Sequence, residues 1–236
     1  MKIEDCETIR TILRQYSITT EADSYNIKNG RCPEYALNWD IQSNERHWPP
    51  GHDYFLGNGE NINDNQELRR ILSKKRQKGS LRNRLLFCDL DGVLTDFEKG
   101  IFNKYKKTTK EMNSSLMWAL INKSNNFFET LPWMPRGQEL WNAIKQYDPI
   151  ILTGIPNGKK SEEQKRKWCA HELGEDIDVI ACSTKEKPKY CFKNSILIDD
   201  RTNNISAWNE RGGQFILYDE HFTDIIIERI HQYMNE

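Results

Sequence analysis

From Leu85 onward the chain repeats one pattern, a short continuous apolar run followed by a segment whose apolar residues recur at helical spacing. The runs are Leu85-Leu86-Phe87-Cys88, Pro149-Ile150-Ile151-Leu152, Val179-Ile180-Ala181, Ile196-Leu197-Ile198 and Phe215-Ile216-Leu217. Helical patterns lie between them over 98–106, 111–122, 136–146, 161–173 and 202–211, and a last one carries Ile226, Ile227, Ile230 and Tyr233. A strand without polar alternation is buried on both faces, and consecutive parallel strands need crossovers long enough to hold a helix. The pattern therefore predicts an α/β fold, a Rossmann-like parallel sheet with helices on both sides.

The chain before residue 80 reads differently. Ile9, Ile12, Leu13 and Tyr16 suggest a short amphipathic helix over 5–16, and 26–65 reads as irregular, with aromatics such as Trp48, Tyr54 and Phe55 set to pack on something larger. Asn65 is placed to cap a helix beginning at Gln66. That helix runs into Arg69, Arg70, Lys74, Lys75, Arg76, Lys78, Arg82 and Arg84, a stretch with no acid among its charges. Its plain reading is a solvated helix face and linker; the sharper one is a surface for a phosphate backbone. The expected division is an amino-terminal extension over 1–80 and a core over 81–236, with an insert at about 98–131.

Composition removes several classes. Thirty-four Lys and Arg against thirty-five Asp and Glu leave a net charge of −1, which excludes a globally basic nucleic-acid coat. Aromatic residues at 11% are more than a disordered chain carries. No apolar run approaches the roughly 18 residues of a membrane span, and the first residues lack the apolar stretch of a signal peptide. The six cysteines are scattered without a CxxC pair, as reduced structural thiols of a cytoplasmic protein would be. The five histidines show no metal-ligand spacing.

In open parallel sheets ligands bind beyond the carboxyl ends of the strands. The first apolar run is followed by Asp89-Leu90-Asp91-Gly92-Val93-Leu94-Thr95-Asp96, the second by Thr153-Gly154, the third by Ser183-Thr184-Lys185-Glu186-Lys187 and the fourth by Asp199-Asp200-Arg201. Crowded acids repel one another unless a cation offsets them, and Mg²⁺ suits oxygen ligands with a substrate phosphate in its shell. Thr153, the Gly154 amide and Lys187 are donors for a phosphoryl group. One carboxylate is available to attack phosphorus, and another, two residues on, to exchange protons with the leaving group and water. Each acid pair taken singly is equally a turn or a helix cap; their convergence is what points to chemistry.

These ordered segments, Asp89-x-Asp91-Gly-Val-Leu-Thr-Asp96, Thr153, Lys187 and Asp199-Asp200, resemble the motifs of the haloacid dehalogenase (HAD) superfamily of phosphohydrolases. Asp91-Gly-Val-Leu-Thr-Asp-Phe97, Asn126-Phe127-Phe128-Glu129, Thr184-Lys185-Glu186-Lys187 and Leu197-Ile198-Asp199-Asp200-Arg201 are most similar to segments of the 5′(3′)-deoxyribonucleotidases. The resemblance implies a HAD-like core with a small helical cap. It implies Asp89 as nucleophile and Asp91 as general acid and base. It implies Mg²⁺ held by Asp89, the Asp91 carbonyl and the Asp199/Asp200 pair, with Thr153, Gly154, Lys187 and Lys185 around the phosphate and Phe97 against a nucleoside. Two departures are a shorter cap insert and Gly154 where a hydroxyl residue usually follows the motif threonine. The expected activity is a Mg²⁺-dependent 5′-nucleotidase-like phosphomonoesterase working through an aspartyl phosphate. Its expected partner is a small phosphomonoester, a nucleoside monophosphate. An end-processing phosphatase on polynucleotide termini and a catalytically silent HAD-like binding protein stand as alternatives. Phe127, Phe128, Trp118 and Trp133 read as cap and core packing rather than as a stacking platform.

Overall fold

A computed structural model describes residues 65–156 and 159–235. The expectations for 5–16, 26–64 and the aromatics Trp48, Tyr54 and Phe55 lie outside the described residues, as do Cys6 and Cys32. The described residues fall in the second of two units into which the chain divides, 54–236.

Helices α1 (Gln66–Gln77), α2 (Phe97–Tyr105), α3 (Ser114–Lys123), α4 (Gly137–Ile144), α5 (Lys159–Glu172), α6 (Ile205–Asn209) and α7 (Thr223–Asn235) accompany strands β1 (Leu86–Cys88), β2 (Ile150–Gly154), β3 (Val179–Cys182), β4 (Ile196–Asp199) and β5 (Gln214–Leu217). The strands form one sheet in the order β3-β2-β1-β4-β5, every pairing parallel. Reversal of strand order beside β1 opens a crevice at its carboxyl end. The fold is thus the Rossmann-like α/β sheet that the apolar runs predict. The strands are buried almost throughout, and their side chains pack with Leu140, Trp141 and Ile144 of α4, Trp168 and Cys169 of α5 and Ile226 and Ile230 of α7. Cys88, Cys169, Cys182 and Cys191 are free and buried, filling space as small apolar groups.

The first acidic segment turns tightly after β1. Val93 and Leu94 amides donate to the Leu90 carbonyl, and the Thr95 hydroxyl donates to Asp91 Oδ1 at 2.8 Å. Asp96 then caps α2, accepting from the Lys99 amide at 2.8 Å. The chain leaves the core at Asp96 and returns at Pro132, whose carbonyl accepts from the Asp96 amide. Between those points α2, α3 and a 3-10 turn (Phe128–Thr130) enclose Ile101, Met117, Ile121, Phe127, Phe128 and Leu131, with Phe97 and Trp118 half-buried at the margin. This small second core is fastened to α5. The buried Gln164 accepts from the Phe128 amide at 2.9 Å, and Trp168 Nε1 donates to the Leu131 carbonyl at 2.9 Å.

Helix α1 begins where expected, with Asn65 accepting from the Leu68 amide. Arg69, Arg70, Arg76, Lys78 and Arg82 are exposed, as a solvated helix face requires, but the other face docks and the helix is no linker. Leu68, Ile71 and Leu72 are buried, and Lys75 is 2% exposed. The Lys75 ammonium lies 2.7 Å from Asp148 and 3.5 Å from Asp178, while Lys74 pairs with Asp178 at 2.8 Å. Arg166 of α5 reaches both Glu67 of α1 and the Val179 carbonyl on the edge strand β3, blunting an edge that would otherwise offer unpaired backbone groups. A period-3.6 pattern with basic residues conceals this docking, because the lysine stems bury while their heads find aspartates that precede β2 and β3.

Lys75→Ala takes the ammonium from the half-exposed Asp148 carboxylate and its carbonyl, while Asp178 keeps Lys74, and empties the space of a buried stem, losses that together cost about 2 kcal/mol. Urea unfolding monitored by circular dichroism is expected to show a loss of that order, against less than about 0.5 kcal/mol for a residue on a solvated linker.

Candidate active site

The strand ends deliver the acidic segments to one rim. Asp89 follows β1 directly, and its amide donates to the Ile198 carbonyl of β4 at 2.8 Å, which brings it beside Asp199. Asp89, Asp199 and Asp200 each place a carboxylate oxygen within 4.8 Å of the others. Gly92 closes the turn at φ 83°, and a Cβ there would run into the Asp200 carboxylate, so glycine serves both the backbone conformation and the approach of two strand ends.

Two buried lysines divide the rim between them. Lys187, 1% exposed, sits 2.7 Å from Asp89 Oδ2 and 2.7 Å from Asp199 Oδ2. Burial works to lower its pKa, and the two carboxylates outweigh that, leaving it above the ordinary lysine value. Lys165 of α5, also 1% exposed, donates to Asp91 Oδ2 at 2.7 Å, to Thr153 Oγ1 at 2.9 Å and to the Gly154 carbonyl at 2.6 Å. Its ammonium also lies 5.0 Å from the centre of the Phe128 ring, which ties the second core to the rim. Each carboxylate of the Asp89-x-Asp91 pair thus faces its own ammonium.

Of the residues singled out in the sequence, Asp89, Asp91, Thr153, Gly154, Lys187, Asp199 and Asp200 come together here. Lys185 stands exposed on the 3-10 turn Thr184–Tyr190, two residues before the buried Lys187. Phe97 opens α2 with its ring 5.9 Å from Trp118 and 5.5 Å from Phe127, half-buried at the edge of the second core. Lys165 is the residue that motif reading missed. It shares a buried face of α5 with Ser161, Gln164, Trp168 and Cys169, a face too polar in sequence to mark it out, and its partners Asp91 and Thr153 come from other elements.

The acids are not equivalent as ligands. Asp199 has Oδ2 on Lys187 and Oδ1 accepting from the Arg201 amide at 2.9 Å, so both its oxygens are engaged. Asp200 Oδ1 is enclosed and has no hydrogen-bond partner. An enclosed carboxylate oxygen without a donor, beside two further carboxylates, fits a hard divalent cation with oxygen ligands. Asp200 is the side chain best placed to hold one; Asp89 and Asp199 lie beside it, each with one oxygen on Lys187 and the other accepting from a backbone amide.

No family model matches the sequence, and no curated protein matches it. Solved structures do. A HAD-superfamily hydrolase from Ehrlichia chaffeensis is 14% identical over 64% of this chain and 97% of its own, at a TM-score of 0.39. A haloacid dehalogenase-like family hydrolase from Streptococcus pneumoniae is 13% identical over 59% and 85%, at 0.38. A Clostridium acetobutylicum protein described as a predicted phosphatase is 14% identical over 64% and 99%, at 0.39. At such values the likeness carries no argument about chemistry. What the sheet order and rim define on their own is a Rossmann-like α/β protein with a lysine-braced acidic site.

Burial, and then repulsion from Asp89 and Asp199, raise the Asp200 carboxyl to about 7. A carboxyl whose folded value exceeds its unfolded one, about 3.9, favours folding fully at low pH and loses that contribution as pH rises through about 7. Wild-type protein without metal is therefore expected to lose more thermal stability between pH 5 and pH 8 than Asp200→Asn. Added Mg²⁺ restores the wild type at pH 8 and not the variant. Superimposable melting profiles for the two proteins would contradict the assignment.

Proposed function

We propose that this chain is a Mg²⁺-dependent phosphomonoesterase of HAD type, working through an aspartyl phosphate on Asp89 and acting on nucleoside monophosphates. The observation that carries the reading is the meeting of Asp89, Asp91, Thr153, Lys165, Lys187 and Asp200 at one rim, with a separate ammonium for each carboxylate of the first pair.

Asp89, Asp200 and the Asp91 carbonyl would hold Mg²⁺, which when bound would supply positive charge to offset the phosphoryl oxygens. Lys187 fixes Asp89, through Oδ2, against Asp199, and the Leu90 amide holds Oδ1 at 2.7 Å, so the nucleophile does not rotate. A carboxylate oxygen of Asp89 attacks phosphorus while the bond from phosphorus to the ester oxygen breaks. Thr153, the Gly154 amide and the two ammonium groups receive the phosphoryl oxygens. As those oxygens draw Lys165 away, Asp91 Oδ2 is free to take up a proton from the phosphate monoanion or solvent and deliver it to the leaving oxygen. Asp91 then takes a proton from water, whose oxygen attacks the phosphorus of the acyl phosphate and releases orthophosphate and Asp89. Most of the acceleration comes from positioning and charge, which these buried groups provide.

The nucleotide preference rests on Phe97, and Trp118, read from sequence as packing, is half-buried with its ring 5.9 Å from Phe97 at the cap margin, a position from which it can join Phe97 in facing a base. The polynucleotide alternative loses its support. Lys74, Lys75 and Lys78 pair with Asp148, Asp176 and Asp178 at the amino ends of β2 and β3, opposite the rim. A cytoplasmic setting suits the buried free thiols, and no helix among the described residues is long and apolar enough to cross a membrane.

With Mg²⁺ the protein is expected to hydrolyse an aryl phosphate, and Asp89→Asn to lower kcat by at least about a thousandfold with the fold retained. Activity that persists in that variant removes Asp89 as nucleophile. In a panel of mononucleotides and aryl phosphates, Trp118→Ala raises KM for the nucleotides alone. Equal effects on both classes would count against base contact.

A further inference from the structure

Gly154 ends β2, and a Cβ built on it would meet the hydroxyl of Thr184, with Thr184 Cβ 3.6 Å and Cα 3.8 Å away. Thr184 begins the turn whose Lys187 reaches Asp89. Its carbonyl accepts from Nδ2 of the buried Asn204 at 2.9 Å, which fixes the turn against the segment after Asp200. The hydroxyl itself makes no hydrogen bond among the described residues, and Thr184 is half-buried rather than enclosed.

Successive side chains of a strand point to opposite faces. The Thr153 side chain points to α5, where Lys165 donates to it, so the direction vacant at Gly154 is the other side, toward Thr184. The end of β2 is thus flanked by a hydroxyl on each face, with the Lys165 ammonium on the first and Lys187 three residues along the turn from the second. On the α5 side the hydroxyl is already bonded to its lysine; on the other it has an unused donor.

We propose that the Thr184 hydroxyl is a phosphate-binding group of the site, donating to a phosphoryl oxygen from the space that Gly154 leaves open, and that Gly154 and Thr184 act as a matched pair. This assignment rests on the phosphomonoesterase reading above and adds a residue to it. Any side chain at 154 displaces the hydroxyl, so glycine there is a requirement of the site rather than of the backbone.

The test uses full-length protein with Mg²⁺, reading aryl phosphate kinetics and, separately, orthophosphate binding by calorimetry. Thr184→Val keeps the shape and removes the donor; it is expected to weaken orthophosphate binding and raise KM roughly tenfold, the effect of one hydrogen bond to a charged group, with a smaller change in kcat. Thr184→Ser retains affinity within about twofold. Gly154→Ala reproduces the valine variant, and Gly154→Ser combined with Thr184→Ala recovers binding by supplying the hydroxyl from the other partner. Wild-type protein that neither turns over nor binds orthophosphate overturns the phosphomonoesterase reading and this assignment with it. Active wild type with Thr184→Val unchanged in both readouts overturns the assignment alone.

Discussion

Buried ammonium groups set against carboxylates are what this fold is organised around. The rim gathers Asp89, Asp91, Asp199 and Asp200, and bare acids at that spacing would repel one another strongly enough to keep the strand ends apart. Lys187 and Lys165, almost wholly enclosed, offset that repulsion. A lysine removed from water is costly unless its donors find acceptors, and Lys165 finds three and Lys187 two carboxylates. The pairings therefore do two things. They permit burial of the acids, and they fix where each carboxylate stands.

The same device recurs away from the site. Lys75 enters the protein between Asp148 and Asp178 and seats α1 against the amino ends of β2 and β3, while Arg166 joins α1, α5 and the β3 edge. Charge in this chain is used internally as much as for solubility, and a near-neutral net charge conceals it. At the rim, Asp200 keeps an enclosed oxygen without a donor, at the point where a cation would complete the set. The contrast with Asp199, adjacent in sequence and fully engaged, separates a residue that braces the lysine from one open to a metal.

Much of the fold was legible because the buried parallel strands carry their signal in continuous apolar residues, which no tertiary context is needed to interpret. Asn65 as a cap was legible for the same local reason. Helix α5 was harder. Its sequence is dominated by Lys, Glu and Arg, and the buried face formed by Ser161, Gln164, Lys165, Trp168 and Cys169 is mostly polar. Lys165 and Gln164 acquire meaning only from partners far along the chain, at Asp91, Thr153 and Phe128. The basic stretch around Lys75 misled for a related reason: a run of positive charge does not reveal that aspartates will meet it from elsewhere.

Sequence alone determined the parallel sheet, the rim at its carboxyl edge and the acids, hydroxyl and lysine that the strand ends present, since each depends on composition and order within a few residues. Only the tertiary structure decided which lysine faces which carboxylate, that Asp200 rather than Asp199 keeps an open oxygen, and that the hydroxyl beside Gly154 comes from Thr184. Those are contacts between distant segments, governed by strand order and by the need to satisfy every buried charge, and no local pattern encodes them.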